Sequence, residues 1–309
     1  MNTVIIDIGN VGVKTGDGKY IPSKVQENSS IFYEKGYNVT INGKNYIVGT
    51  GDYETETIKS SKENFYPLLL TALAQSMDIG ENAANLVVGL PLSQFTLCSK
   101  EIKAKLLEDY RQNVITVDGF KKDIIINDVL VVPEGVGALY GLPQEFHIDD
   151  NHVVNLDRTN IIIADIGGLT TNIFEMDNGS ITKDLTLDNV GTLHMFTKLK
   201  FEIKHDYTDM KLTYDKLDKI LSENTFSYFG NSIDATKYIK KLNPIMKTLY
   251  DTLKMNYSIE DTQLVLCGGG SKYVYPYILK KITNSLKCDD IFLNAKGFKV
   301  IGDNYFKKF

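Results

Sequence analysis

One short segment occurs twice in this chain, far apart. Ile5-Ile6-Asp7-Ile8-Gly9-Asn10 and Ile163-Ala164-Asp165-Ile166-Gly167-Gly168 share the order apolar, apolar, Asp, Ile, Gly, small. In each copy an apolar, β-branched run reads as a buried strand and the glycine stops it. The residues that follow, Val11–Thr15 and Thr171–Met176, read as return strands, so each copy opens a hairpin-rich half. One repeat at a single long interval argues for a duplicated domain and against a solenoid. With 309 residues the chain is long for one ordinary core and fits two domains, or one large α/β unit.

The repeated segment has a chemical consequence. A buried strand delivers its Asp to the sheet edge, and glycine at the turn lets backbone N–H groups approach an anion. An ionised Asp only accepts hydrogen bonds and would repel bare phosphate. It fits beside phosphate if it holds a hydrated Mg2+, which keeps several waters and bridges to phosphate oxygens. Asp7 and Asp165 are therefore candidate metal-holding residues, and two such hairpins facing each other would grip a polyphosphate from both sides.

The rest of the pattern supports alternating strands and helices. In the first half it predicts a hairpin, Tyr37–Ile41 and Tyr46–Val48 about Asn42-Gly43, and a helix over 62–78 with Leu68, Leu69, Ala72, Leu73 and Met77 on one stripe. A buried strand at Asn85–Gly89 and a helix over 94–110 follow. Two short strands, 113–117 and 123–126, flank Asp118-Gly119, and a third, Val129–Val132, ends at Pro133-Glu134, where a small-residue helix starts. The polar stretch 144–159 reads as a loop. In the second half, strands at Ile161–Ile166, Thr171–Met176 and Ser180–Leu185 precede helices over 192–203, 213–222 and 234–256. The strand Leu264–Cys267 runs into Gly268-Gly269-Gly270-Ser271, then a helix over 273–286 and a short tail. Three glycines between a buried strand and a helix allow a nucleotide close to the helix N-terminus.

Composition narrows the function. The chain is 43% hydrophobic and 24% charged, as a globular protein is. Its formal charge of −5, from 34 Lys+Arg against 39 Asp+Glu, leaves no global basic field for nucleic acid or an anionic membrane. Cys98, Cys267 and Cys288 are scattered, and His147, His152, His194 and His205 form no ligand-spaced set, which disfavours a disulfide framework or a zinc site. A reducing, cytoplasmic setting is expected. The segment Met1–Asp7 lacks the basic start of a secretion signal, and no apolar run approaches the ~18 residues of a membrane span.

Taken together, the motifs resemble those of the actin/Hsp70/sugar-kinase superfamily, and within it the ParM-like bacterial actins that segregate plasmids. Asp7-Ile8-Gly9-Asn10-Val11-Gly12-Val13-Lys14 is similar to the first phosphate loop, and Pro133-Glu134-Gly135-Val136-Gly137-Ala138 to the first connecting motif. Asp165-Ile166-Gly167-Gly168-Leu169-Thr170-Thr171-Asn172 is similar to the second phosphate loop. Gly268-Gly269-Gly270-Ser271 resembles the adenosine motif, and the helix after it would be the second connection. The resemblance implies a two-domain actin-like (ribonuclease H-like) α/β fold with a nucleotide cleft between the domains, each built on a mixed five-stranded sheet. Residues 1–159 would form domain I, 160–289 domain II, and the tail from about 290 to 309 would pack back on domain I.

The resemblance also implies roles. Glu134 and Asp165 would be catalytic, with Glu134 orienting the attacking water. Asp7 and Asp165 would hold Mg2+. Gly9, Asn10, Val11, Lys14, Gly167, Gly168, Leu169 and Thr170 would contact phosphates, and Gly268, Gly269 and Gly270 the adenosine. Lys216 and Lys219 are weaker nucleotide candidates, because no sharp motif marks their helix. Asn172 departs from the acidic residue often found there, and Asn10 from a serine. The implied cofactors are ATP, or GTP, with Mg2+. The implied partners are the chain itself, in a filament, and a DNA-binding adaptor on a plasmid centromere, with no direct nucleic-acid or membrane contact. A small-molecule, sugar-type kinase of the same superfamily is the alternative, and an Hsp70-like switch ranks third.

Overall fold

A computed structural model describes residues 2–27, 36–54, 56, 58–78, 80, 82–149 and 152–307. The chain divides into two compact units, Met1–Gln144 with Asp290–Phe309, and Glu145–Asp289. Residues 145–159 thus group with the second unit and the last segment groups with the first.

In chain order the first unit holds β1 (Asn2–Ile8), β2 (Gly12–Thr15), β3 (Tyr20–Pro22), β4 (Lys24–Glu27), β5 (Tyr37–Ile41) and β6 (Lys44–Tyr53). A 3-10 turn, Lys59–Ser61, precedes α1 (Phe65–Ser76), β7 (Ala83–Leu90), α2 (Leu92–Glu108), β8 (Gln112–Val117), β9 (Phe120–Pro133) and α3 (Val136–Gly141). The strands form one sheet in the order β3-β2-β1-β7-β9-β8-β5-β6-β4. Its first five members, with β1 antiparallel to β2 and parallel to β7, are the expected core. The sheet has nine strands, where five were expected, because the two segments read as strands 123–126 and 129–132 are one 14-residue strand, β9. The far end of β9 pairs with β8, β8 pairs with β5, and the β5–β6 hairpin brings in β4.

Alternation along β1 assigns its two faces. Val4, Ile6 and Ile8 pack with α1 and α2, through Leu69, Leu73 and Ile102 among others. Ile5 packs on the other face with Val87, Val132, Ala295 and Phe298. Asp7 shares the parity of Ile5. Every residue of α1 from Phe65 to Ala74 is buried, as expected of a helix enclosed on all sides; it touches β1 and β2 and also β5, β6 and β8.

The second unit opens with β10 (Glu145–Asp149) and β11 (His152–Asn155), which pair as a hairpin where a loop was expected. Of the polar residues that suggested a loop, Asp150 and Asn151 lie outside the described residues. Next come β12 (Ile161–Ile166), β13 (Thr171–Asp177), β14 (Ser180–Leu187), α4 (Thr192–Asp206) and α5 (Tyr214–Glu223). The helix expected over 234–256 is present from residue 236 on, as two helices joined by a 3-10 turn, Lys240–Leu242. A hairpin, β15 (Thr225–Tyr228) and β16 (Asn231–Asp234), and a short helix, α6 (Thr236–Ile239), come before α7 (Asn243–Asn256). Asn224 ends α5 in the left-handed conformation, and Phe229-Gly230 makes the tight turn with positive φ at both residues. The unit ends with β17 (Gln263–Cys267), α8 (Ser271–Leu279) and β18 (Leu286–Lys287). Its sheet has the order β14-β13-β12-β17-β18, the mixed five-stranded arrangement expected. Its central strand is antiparallel to β13 and parallel to β17, as β1 is to β2 and β7. The echo in sequence is therefore an echo in topology.

The expected short tail is a helix, α9 (Leu293–Phe306). It packs on α3, β1 and β7. The helix that crosses α3 is thus α9, whereas α8, the helix after the Gly268–Gly270 turn, packs on α7, β17 and β18.

Candidate nucleotide-phosphate hairpins

In the first unit the β1–β2 hairpin aligns Asp7 with Lys14 across the ladder. Asp7 is 4% exposed, and the Lys14 Nζ lies 3.6 Å from its Oδ2. The turn is closed by the Gly9 N–H, which donates to the Gly12 carbonyl at 3.2 Å. A Cβ at Gly9 would sit 2.8 Å from both that carbonyl and the Lys14 Nζ, so glycine here is what lets the lysine head lie over the turn. Strand β3 backs the hairpin from outside. The Ser23 hydroxyl donates to the Gly9 carbonyl, the Ser23 N–H to the Val11 carbonyl at 3.0 Å, and the Tyr20 ring covers Gly12.

Two lysines that sequence reasoning did not single out complete this site. Lys62 donates from Nζ to the Asn10 Oδ1 at 2.6 Å. Burial, and then the neighbouring charge of Lys59, push its ammonium down to about 8. Lys59 is 2% exposed and its Nζ pairs with the Glu134 Oε1. Glu134 stands where β9 ends, its N–H donating to the Leu90 carbonyl at 2.6 Å. Gly135 follows with φ +86° and caps α3, and its N–H donates to the Asn294 Oδ1 of α9 at 3.2 Å. A pocket beside the hairpin is lined by Gly9, Asn10, Ser23, Glu54, Lys59 and Lys62. Lys59 and Lys62 carry no readable signal, because a lysine in a polar loop or at the start of a helix is normally solvated.

In the second unit the β12–β13 hairpin repeats the geometry. Asp165, 7% exposed, aligns with Asn172, which holds the register position of Lys14. The Gly167 N–H closes the turn on the Thr170 carbonyl at 2.8 Å. Asn172 accepts from the Thr186 hydroxyl at 3.0 Å, so its amide oxygen is tied to β14. The N-terminus of α4 docks on the same turn: the N–H groups of Thr192 and Leu193 donate to the carbonyls of Gly167 and Gly168 at 3.0 and 2.8 Å. Leu169 and Thr170 are buried within it.

The triple glycine lies against this hairpin because β17 pairs with β12. Gly268 has φ +79°, and a Cβ there would stand 2.2 Å from the Asp165 Oδ1. The Gly270 N–H donates to the Ile166 carbonyl at 2.9 Å. A Cβ on Gly269 would meet no atom within 4 Å, so that edge of the turn is open to a ligand. Cys267 is fully buried, and burial together with the Asp165 charge raises its thiol well above the ordinary value; it acts as packing. The other two cysteines are also buried, and among the described residues no disulfide forms. Lys216 and Lys219 sit on α5, exposed; Lys216 bonds to the Lys211 carbonyl at 3.1 Å and Lys219 pairs with Glu223 at 3.7 Å. Asp218, also on α5, pairs with Lys272 of α8 at 2.9 Å.

Among the described residues no three His, Cys, Asp or Glu side chains converge as a metal cage. The donor set present, single buried carboxylates beside glycine turns, suits a cation that keeps its waters and shares phosphate oxygens, as Mg2+ does. Among the described residues no helix is long and apolar enough to cross a membrane.

Comparison with known proteins agrees with the fold. Residues 6–137 match the family model of the N-terminal domain of actin-like proteins. No curated protein sequence matches the chain. Among solved structures, a 15-stranded ParM filament from Clostridium botulinum is 20% identical, with a TM-score of 0.76 over 98% of this chain and 100% of that one. The archaeal actin homologue Ta0583 in complex with ADP is 19% identical, with a TM-score of 0.76 over 98% and 100% of the two chains. An AlfA filament bound to AMPPNP is 18% identical, with a TM-score of 0.66 over 100% and 98%. The chain therefore has the two-domain actin-like fold of the ParM-like bacterial actins, and its residues 6–137 match the actin-like N-terminal domain.

Proposed function

We propose that this chain is a nucleotide-dependent, self-assembling filament protein that hydrolyses ATP, or GTP, and moves plasmid DNA through a DNA-bound adaptor. One observation carries the reading: the same hairpin, a buried Asp on a central strand followed by a glycine-closed turn, occurs at equivalent topological positions in the two units. In this reading Gly9, Asn10, Val11 and Lys14, and Gly167, Gly168, Leu169 and Thr170, bind phosphates. Gly268, Gly269 and Gly270 take the nucleoside end. Asp7 and Asp165 would hold Mg2+ through water, and the bound ion would neutralise charge on the phosphates. Glu134 orients the attacking water, and Asp165 supports the charge balance of the transfer. Such a role suits phosphoryl transfer, in which positioning and charge stabilisation supply most of the catalysis. Self-assembly is supported by the ParM and AlfA relatives, which are filaments. A cytoplasmic location and the adaptor follow from the same reading.

Right-angle light scattering with negative-stain microscopy tests it. Addition of Mg-ATP is expected to raise the scattering, which then decays, whereas polymer of Glu134→Ala persists. No polymer with any nucleotide, salt or crowding agent, together with slow turnover, sinks the filament reading and directs attention to phosphoryl transfer onto a sugar.

A further inference from the structure

We propose that Lys59 is a positioning residue for hydrolysis, holding the Glu134 carboxylate in one place through a buried ion pair; the proposal rests on the hydrolytic role read for Glu134 above. Lys59 is fixed at both ends. Its backbone N–H donates to the Gln94 Oε1 of α2 at 2.9 Å. Its ammonium donates to the Glu134 Oε1 and lies 3.5 Å from the Gly89 carbonyl. The side chains of Lys59 and Glu134 are 3% and 12% exposed. The stem of Glu134 in turn passes Gly89, where an added Cβ would already stand 3.5 Å from its Cγ.

Stability alone is a poor reason for such a pair. Desolvating two charges can cost as much as their attraction returns, and apolar residues of similar size often serve a core better. What the pair does provide is a carboxylate with one oxygen pinned by a fixed cation. Lys62, the residue that caps the C-terminus of the same 3-10 turn, reaches Asn10, so the turn and its cap touch both the hydrolytic carboxylate and the first phosphate turn. Charges from Glu54, Glu56 and Glu134 also act on Lys62. The ammonium of Lys59 is in direct contact with the Glu134 carboxylate.

The test is steady-state turnover and nucleotide affinity of the full chain carrying Lys59→Met, Glu134→Gln or both. Lys59→Met is expected to lower kcat about tenfold or more while nucleotide affinity stays within about twofold. In the Glu134→Gln background it is expected to lower kcat no further, because the group it acts through is gone. Lys59→Arg covers the case in which Lys59→Met does not fold. It keeps the charge but carries a larger planar head, and it should slow turnover only where Glu134 is present. An equal loss of kcat in both backgrounds, or a loss confined to affinity, overturns the proposal and leaves Lys59 a structural residue. Wild-type protein that hydrolyses nothing overturns the hydrolytic reading and this proposal with it; normal wild-type turnover with an unaffected Lys59→Met sinks the proposal alone.

Discussion

Lys62 illustrates how little a residue's identity says about its charge. Its ammonium is buried beside that of Lys59, which pushes it from 10.5 down to about 8. Between those values the unfolded chain binds more protons than the folded one, so stability rises with pH across that window. Below about pH 8 both states are charged and the cost of burial is felt in full. Lys62→Met is therefore expected to stabilise the protein at pH 7, by about 1–3 kcal/mol, with the gain shrinking as pH rises from 8 towards 10. Urea unfolding at a series of pH values measures it; a difference independent of pH would contradict the assignment. Asp7, Asp165 and their glycines were legible because strand, turn and chemistry lie within a few residues of one another. Lys59 and Lys62 were not, because what makes them unusual is supplied by Glu134 and Asn10, 75 and 52 residues away.

Among the elements, α9 departs furthest from expectation. Gly297 and Gly302 weaken its helical signal, yet packing requires the first of them. A Cβ on Gly297 would stand 1.8 Å from the Gly137 carbonyl of α3, and one on Gly141 would stand 2.1 Å from the Leu293 carbonyl. The two helices meet backbone to backbone. Alanine at position 297 would gain up to about 1 kcal/mol in helix propensity, but it cannot be accommodated without separating α3 from α9. Gly297→Ala is expected to destabilise by about 1–3 kcal/mol net, while the exposed Lys299→Ala stays within about 0.5 kcal/mol of wild type. Thermal unfolding distinguishes the two, and a neutral Gly297→Ala would show that the crossing is looser than described. Because α3 begins directly after Glu134 and is bonded to α9 through Asn294, this packing also sets the position of the candidate hydrolytic carboxylate.

For the whole molecule, ligand binding and stability are linked. A nucleotide that binds only the folded chain stabilises it by about 2.7 kcal/mol at a hundred times its dissociation constant. Differential scanning fluorimetry with Mg-ADP should show a concentration-dependent rise in the midpoint, reduced in Asp7→Ala and in Asp165→Ala. A midpoint unmoved by any nucleotide would count against the phosphate role of both hairpins.

Local pattern is enough to specify the duplicated strand-and-turn hairpins, the triple-glycine turn and most of the helices and strands, because period, β-branching and glycine act over a few residues. Tertiary structure alone decided three further things: the nine-stranded first sheet, the pairing of α9 with α3, and the two buried lysines beside the first hairpin. Each of these depends on partners far apart in the chain. Strand pairing beyond a hairpin, helix crossing at glycine and the burial of a charge are settled by which surfaces meet, and local pattern carries no record of that.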